Sequence, residues 1–164
     1  MNMNFDKAFN ILLQFEGTAF TDYNNDMGGE TKYGISKAAY PSLNIAALTE
    51  FQAKAIYGTD YWLKSNCQKL KPELQYAVFD TAVNMGTETA VRLLQEAAGI
   101  KIDGIFGAQT LVQSDKVSVY EYLLLRQWRY NDIVIKNKSQ MAFLSGWTNR
   151  NRKIYEMYKQ GLLA

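Results

Sequence analysis

Phe5, Ala8, Phe9, Leu12 and Phe15 recur at three- and four-residue steps, the spacing of one apolar stripe on a helix. They predict a helix over about 4–15, which Gly17 stops. Carried on by four residues from Leu12, the stripe reaches Glu16, so a carboxylate is expected at the C-terminal end of the buried face, where acids are seldom placed. Residues 17–35 break this pattern with a polar run rich in Asn, Asp and Gly, which favours turns and a short hairpin. Thr49 and Gln52 have capping-box spacing and open a helix through Tyr57 towards Trp62. Pro72 suits the first position of a helix that reaches Met85 and stops at Gly86.

Beyond it, Thr87 is expected to cap a helix carrying Val91, Leu94 and Ala98, ended by Gly99. Ile102-Asp-Gly-Ile-Phe-Gly reads as a loop, with Asp103-Gly as its turn and Gly107 as room for close helix packing. It leads to a short helix around 108–111. Ser114 is expected to cap a long helix carrying Val117, Tyr120, Leu124 and Trp128, and a last helix carries Phe143, Trp147, Ile154 and Tyr158. The chain shows neither an internal repeat nor an interdomain linker. The pattern predicts a mainly α protein with two lobes at most.

Composition narrows the chemistry more than the fold. With 164 residues, 48% apolar and 21% charged, the chain is an ordinary globular one, able to bury a sizeable core. A net charge of +2 is too even to predict a nucleic-acid partner. Its most basic residues, Arg126, Arg129, Lys136, Lys138, Arg150, Arg152 and Lys153, read as solvated helix faces. A weakly basic surface would favour approach to an anionic polymer. Cys67 is the only cysteine, which rules out an intramolecular disulfide. The first residues lack a basic region followed by an apolar run, and no stretch approaches the roughly 18 apolar residues of a membrane span. Cytoplasmic synthesis without a signal peptide, and no integral membrane association, are therefore expected.

There is no histidine. That excludes an HExxH zinc site, a Ser-His-Asp triad and a Cys-His pair. Proton traffic must run through carboxylates, Tyr, Lys or water, and carboxylate-only chemistry is that of glycosidases. The Asp103 segment lacks the further acidic positions of an EF-hand loop, so no metal or other cofactor is implied.

Glu16 is the first candidate, because an apolar stripe supplies the desolvation that raises a carboxyl pKa, as a general acid needs. A helical phase shifted by one residue would make it an exposed helix-end acid instead. Asp22, Asp26 and Glu30 follow, with Thr31 and Tyr33 just beyond. They are either turn residues and solvated charges, or a means to orient a water opposite Glu16. Asp26 and Thr31 form the best pair, since both types hold water by hydrogen bonds. Gly28 and Gly29 would let backbone approach a sugar. Asp80 and Asn84 share one helix face. Tyr33 and Trp62 are either sugar-stacking rings or core.

Phe15-Glu-Gly, followed by Asp26-Met-Gly-Gly-Glu-Thr-Lys-Tyr-Gly-Ile-Ser, resembles the signature of glycoside hydrolase family 108, the N-acetylmuramidases. The resemblance continues through Ile56-Tyr-Gly-Thr-Asp-Tyr-Trp, Val78-Phe-Asp-Thr-Ala-Val-Asn-Met-Gly, Leu93-Leu-Gln, Asp103-Gly-Ile-Phe-Gly-Ala-Gln-Thr-Leu and Gly146-Trp-Thr-Asn-Arg, in order from about residue 9 to residue 150. Thr18 stands where the family has a second Gly, Tyr23 and Met27 replace prolines, and Phe20 takes the place of a Tyr.

The resemblance implies a lysozyme-like helical domain with a small polar loop or hairpin beside the active site. Residues 1–75 would be the catalytic portion, and 76–160 a peptidoglycan-binding helical portion packed against it. It makes Glu16 the catalytic acid. Asp26 becomes the second carboxylate, by its spacing to Gly28, Gly29 and Thr31, with Asp22 the alternative. Tyr33, Asp80 and Asn84 become substrate-binding residues, the last two facing the groove or buttressing the loop. The implied reaction is hydrolysis of the β-1,4 bond between N-acetylmuramic acid and N-acetylglucosamine. A lytic transglycosylase and a non-catalytic wall-binding module are the alternatives. Family members are phage endolysins or their relatives, so the partners implied are peptidoglycan glycan strands and a holin or secretion machinery for release, with the chain acting as a monomer in the periplasm or wall.

Overall fold

A computed structural model describes residues 3–22 and 29–164. Asn4 starts the first helix, α1 (Phe5–Glu16), by accepting a 2.9 Å bond from the Lys7 amide, and α1 buries Ala8, Phe9 and Leu12. Gly17, at φ 76°, turns the chain away and donates its amide to Leu13. The predicted hairpin is present but small. Strands β1 (Thr31–Lys32) and β2 (Ile35–Ser36) pair antiparallel, Thr31 opposite Ser36 and Lys32 opposite Ile35.

The capping box at Thr49 and Gln52 forms and opens α2 (Glu50–Tyr57). That helix widens into a π-helical turn over Gly58–Leu63, which drives Trp62 into the core. Phe5, Phe9, Tyr57, Trp62 and Phe79 meet there, with Trp62 and Phe79 edge to face at 5.5 Å between centroids. Edge-to-face rings add to the burial of their large apolar faces.

Pro72 begins α3 (Pro72–Met85), the helix around which the others pack. Every residue from 74 to 82 on it is buried, so it is enclosed on all sides rather than amphipathic. Next come α4 (Thr87–Ala97), α5 (Ala108–Ser114), α6 (Val119–Lys136) and α7 (Met141–Lys159). The fold is the mainly α, lysozyme-like one expected.

Four local expectations are corrected. Gly86, at φ 90°, occupies the cap position before α4, and Thr87 is already helical. Ser114 ends α5, where its hydroxyl donates to the Leu111 carbonyl. The cap of α6 is Ser118, locked in a reciprocal box with Glu121. The stripe assigned to α6 is out of phase: Tyr120 and Trp128 are 54% and 58% exposed, and Val119, Tyr122, Leu123, Arg126, Tyr130 and Val134 face inward. Gly107 has open space where a Cβ would stand, so close packing is not its reason. The loop before it is held by Gln95, whose amide binds Asp103, Ile105 and Thr110 and accepts from Gly104.

Candidate active site

Glu16 is the last residue of α1, and the turn of the hairpin lies against it. A Cβ built on Gly34 would stand 2.9 Å from Glu16 Cβ and Cγ and 2.7 Å from the Tyr57 hydroxyl. Gly34 also adopts φ 76°, the left-handed region that a Cβ disfavours. Tyr57, from α2, donates to the Tyr33 carbonyl at 2.8 Å and so ties the hairpin turn to the core. Burial first, and the neighbouring Glu16 carboxylate second, push the Tyr57 phenol well above its ordinary pKa.

The Glu16 side chain is 21% exposed, and its Oε1 lies 2.7 Å from Nη1 of Arg150 on α7. The same guanidinium turns its other edge to Asp80 of α3, with Nη2 2.7 Å from Oδ1 and Nε 3.0 Å from it. Asp80 has no exposed surface and is met from a second side by Arg126 Nη2 at 2.8 Å. Arg126 Nε donates to the Tyr130 hydroxyl, which donates to Asn84 at 2.6 Å. Burial alone would raise the pKa of Asp80, but the two guanidinium groups outweigh it and hold the carboxyl below the usual range.

Arg126 and Arg150 therefore leave the set of solvated helix faces: Arg126 is fully buried and the Arg150 side chain only 13% exposed. A buried carboxylate must be compensated, and these two cations do it. The signal was Asp80 itself, an acid inside Tyr76-Ala-Val-Phe-Asp-Thr-Ala-Val, where no face of the helix reaches water.

The sequence candidates separate. Tyr33 is half-buried at φ 54° in the hairpin turn next to Gly34. Thr31, three residues before Gly34, exchanges two 2.8 Å backbone bonds with Thr21, the neighbour of Asp22. Its hydroxyl donates to the Gly29 carbonyl. Asp22 is exposed, and Asp26 and Gly28 lie outside the described residues. Trp62 is core. Asp80 lies beneath Glu16 and Arg150. Asn84 is exposed, at a concavity of about 160 Å³ that Tyr130 and Trp147 also line.

Residues 9–86 match the family model described as Glycosyl hydrolase 108, and residues 89–152 match that described as Predicted Peptidoglycan domain. The chain thus carries a segment that matches glycosyl hydrolase 108, followed by one that matches the peptidoglycan domain. SagA of Brucella abortus is a solved structure similar to it, at 28% identity and a TM-score of 0.80, covering 95% of this chain and 94% of that one. No curated protein matches the chain closely enough to count as a relative.

The site crosses the boundary between the two matched segments. Glu16, Gly34, Tyr57 and Asp80 belong to the glycosyl hydrolase 108 domain, and Arg126 and Arg150 to the peptidoglycan domain. Gly34→Ala must displace either Glu16 or Tyr57. It is expected to lower wall-clearing activity by about 100-fold, the scale of a 1 Å misplacement. Turbidity of a cell-wall suspension, with thermal unfolding measured in parallel, checks this.

Proposed function

We propose that the chain is a muramidase that hydrolyses the β-1,4 bond from N-acetylmuramic acid to N-acetylglucosamine in peptidoglycan, with Glu16 as general acid. The observation that carries this reading is the setting of Glu16. It is a partly exposed carboxylate at a helix end, fixed between a hairpin turn and an arginine, in a glycosyl hydrolase 108 domain. Glu16 gives its proton to the glycosidic oxygen as the bond from that oxygen to the anomeric carbon breaks. A water held by Asp26 and Thr31 adds to the anomeric carbon, and its proton passes to the Asp26 carboxylate. Tyr33 and Asn84 contact the glycan, and Asp80 acts from below.

Mass spectrometry of digested and borohydride-reduced wall tests the reaction. Hydrolysis at the proposed bond leaves fragments ending in reduced N-acetylmuramic acid. Ends of reduced N-acetylglucosamine would place the cut at the other linkage. Anhydro ends, which borohydride leaves unchanged, would mean a lytic transglycosylase, and no soluble fragments a binding module.

A further inference from the structure

We propose that Arg150 is the positioning residue for Glu16, supplied by the peptidoglycan domain and held in place by Asp80. The inference rests on Glu16 being the acid and adds what keeps it in register. Arg150 uses Nε and Nη2 on Asp80 and only Nη1 on Glu16 Oε1. Two parallel donors on one carboxylate fix the guanidinium plane, and the third then points in one direction. With Oε1 taken up by Arg150, the transferred proton is carried on Oε2.

The anchor is itself immobile. Arg126 holds Asp80 from the opposite side, and the Tyr76 hydroxyl donates to it at 3.3 Å. The Phe15 ring lies 5.0 Å from the guanidinium carbon of Arg150, with Lys153 5.9 Å from the same ring. Tyr57 of α2 is a further titratable group beside Glu16. A helix of the second matched domain thus fixes the acid of the first, and the glycosyl hydrolase 108 segment by itself lacks a part of its own site.

Lysine separates this role from simple charge balance. Its single ammonium can neutralise Asp80 but cannot place two donors there and a third on Glu16. In the full chain, Arg150→Lys is expected to lower kcat on soluble glycan fragments at least tenfold, with KM within about twofold of the parent. A kcat within twofold of the parent, or an equal change in KM, overturns the proposal. Glu16→Gln is run alongside: if it stays active, the reading of Glu16 fails first, and if it is dead while Arg150→Lys is unimpaired, only this inference fails.

A measurement on the parent protein does not depend on the variant folding. Nitrogen-edited NMR of the arginine side chains should show Arg150 Nη1 protons rotating slowly, and faster in Glu16→Ala, which removes their acceptor. Rotation as fast as that of the exposed Arg152, or unchanged by Glu16→Ala, overturns the proposal.

Discussion

Glu16→Gln is expected to lower the rate of peptidoglycan cleavage by about 10²–10⁴-fold, the range of a positioned proton donor. Glutamine keeps the size of the side chain and an oxygen able to accept from Arg150 Nη1, so the α1–α7 contact survives. What it loses is the proton for the leaving oxygen. With its proton on, Glu16 is as neutral as glutamine; once the proton has left, Glu16 and Asp80 together face Arg126 and Arg150, and glutamine there leaves one excess positive charge. Since Glu16 is partly exposed, water screens that excess, and the stability change should stay within about 2 kcal/mol. Binding to insoluble wall, read by sedimentation, should change little. A large loss of binding with cleavage per bound molecule intact would make Glu16 a contact for the polymer instead.

Asp80→Asn is the substitution with the largest expected effect on stability, a loss of about 3–5 kcal/mol. It leaves two guanidinium groups, one of them fully buried, with no anion between them. For a chain of this size each kcal/mol moves Tm by about 2–4 °C, so the midpoint should fall by roughly 10 °C. The effect depends on pH in a defined direction. Despite its burial, the carboxyl of Asp80 is held below its ordinary pKa by Arg126 and Arg150. The ionised form therefore contributes full stability above the unfolded value of about 3.9, and that contribution disappears as pH falls through the lower folded value. Thermal unfolding from neutral pH down to pH 2 should show the parent converging on Asp80→Asn at the acid end. A constant gap across that range contradicts the assignment of Asp80 as the ionised anchor.

Features governed by near neighbours were legible in the sequence. The stripe of α1, the box at Thr49 and Gln52, and Pro72 at the start of α3 are each decided within one or two turns of chain. The position of Glu16 at the end of the apolar stripe could be read for the same reason. Features decided across the fold were not. On α6, Val119, Tyr120, Tyr122, Leu123, Leu124 and Leu125 spread apolar side chains around the helix, so periodicity alone could not show which face turns inward. The answer lies in Asp80 on α3, which draws Arg126 into the core. Arg150 stands beside the exposed Arg152 and Lys153 in sequence, and its partners on α1 and α3 are remote along the chain. Ser114 and Ser118 both have the composition of a cap. Glu121, three residues after Ser118, completes the box that Ser114 lacks.

The most direct test of the central claim is release of new reducing ends from purified sacculi by equal amounts of the parent and of Glu16→Gln, each shown to be folded by circular dichroism. The account predicts that the parent releases fragments ending in N-acetylmuramic acid and that Glu16→Gln releases them at least 100-fold more slowly. Equal rates of release from the two proteins would contradict it.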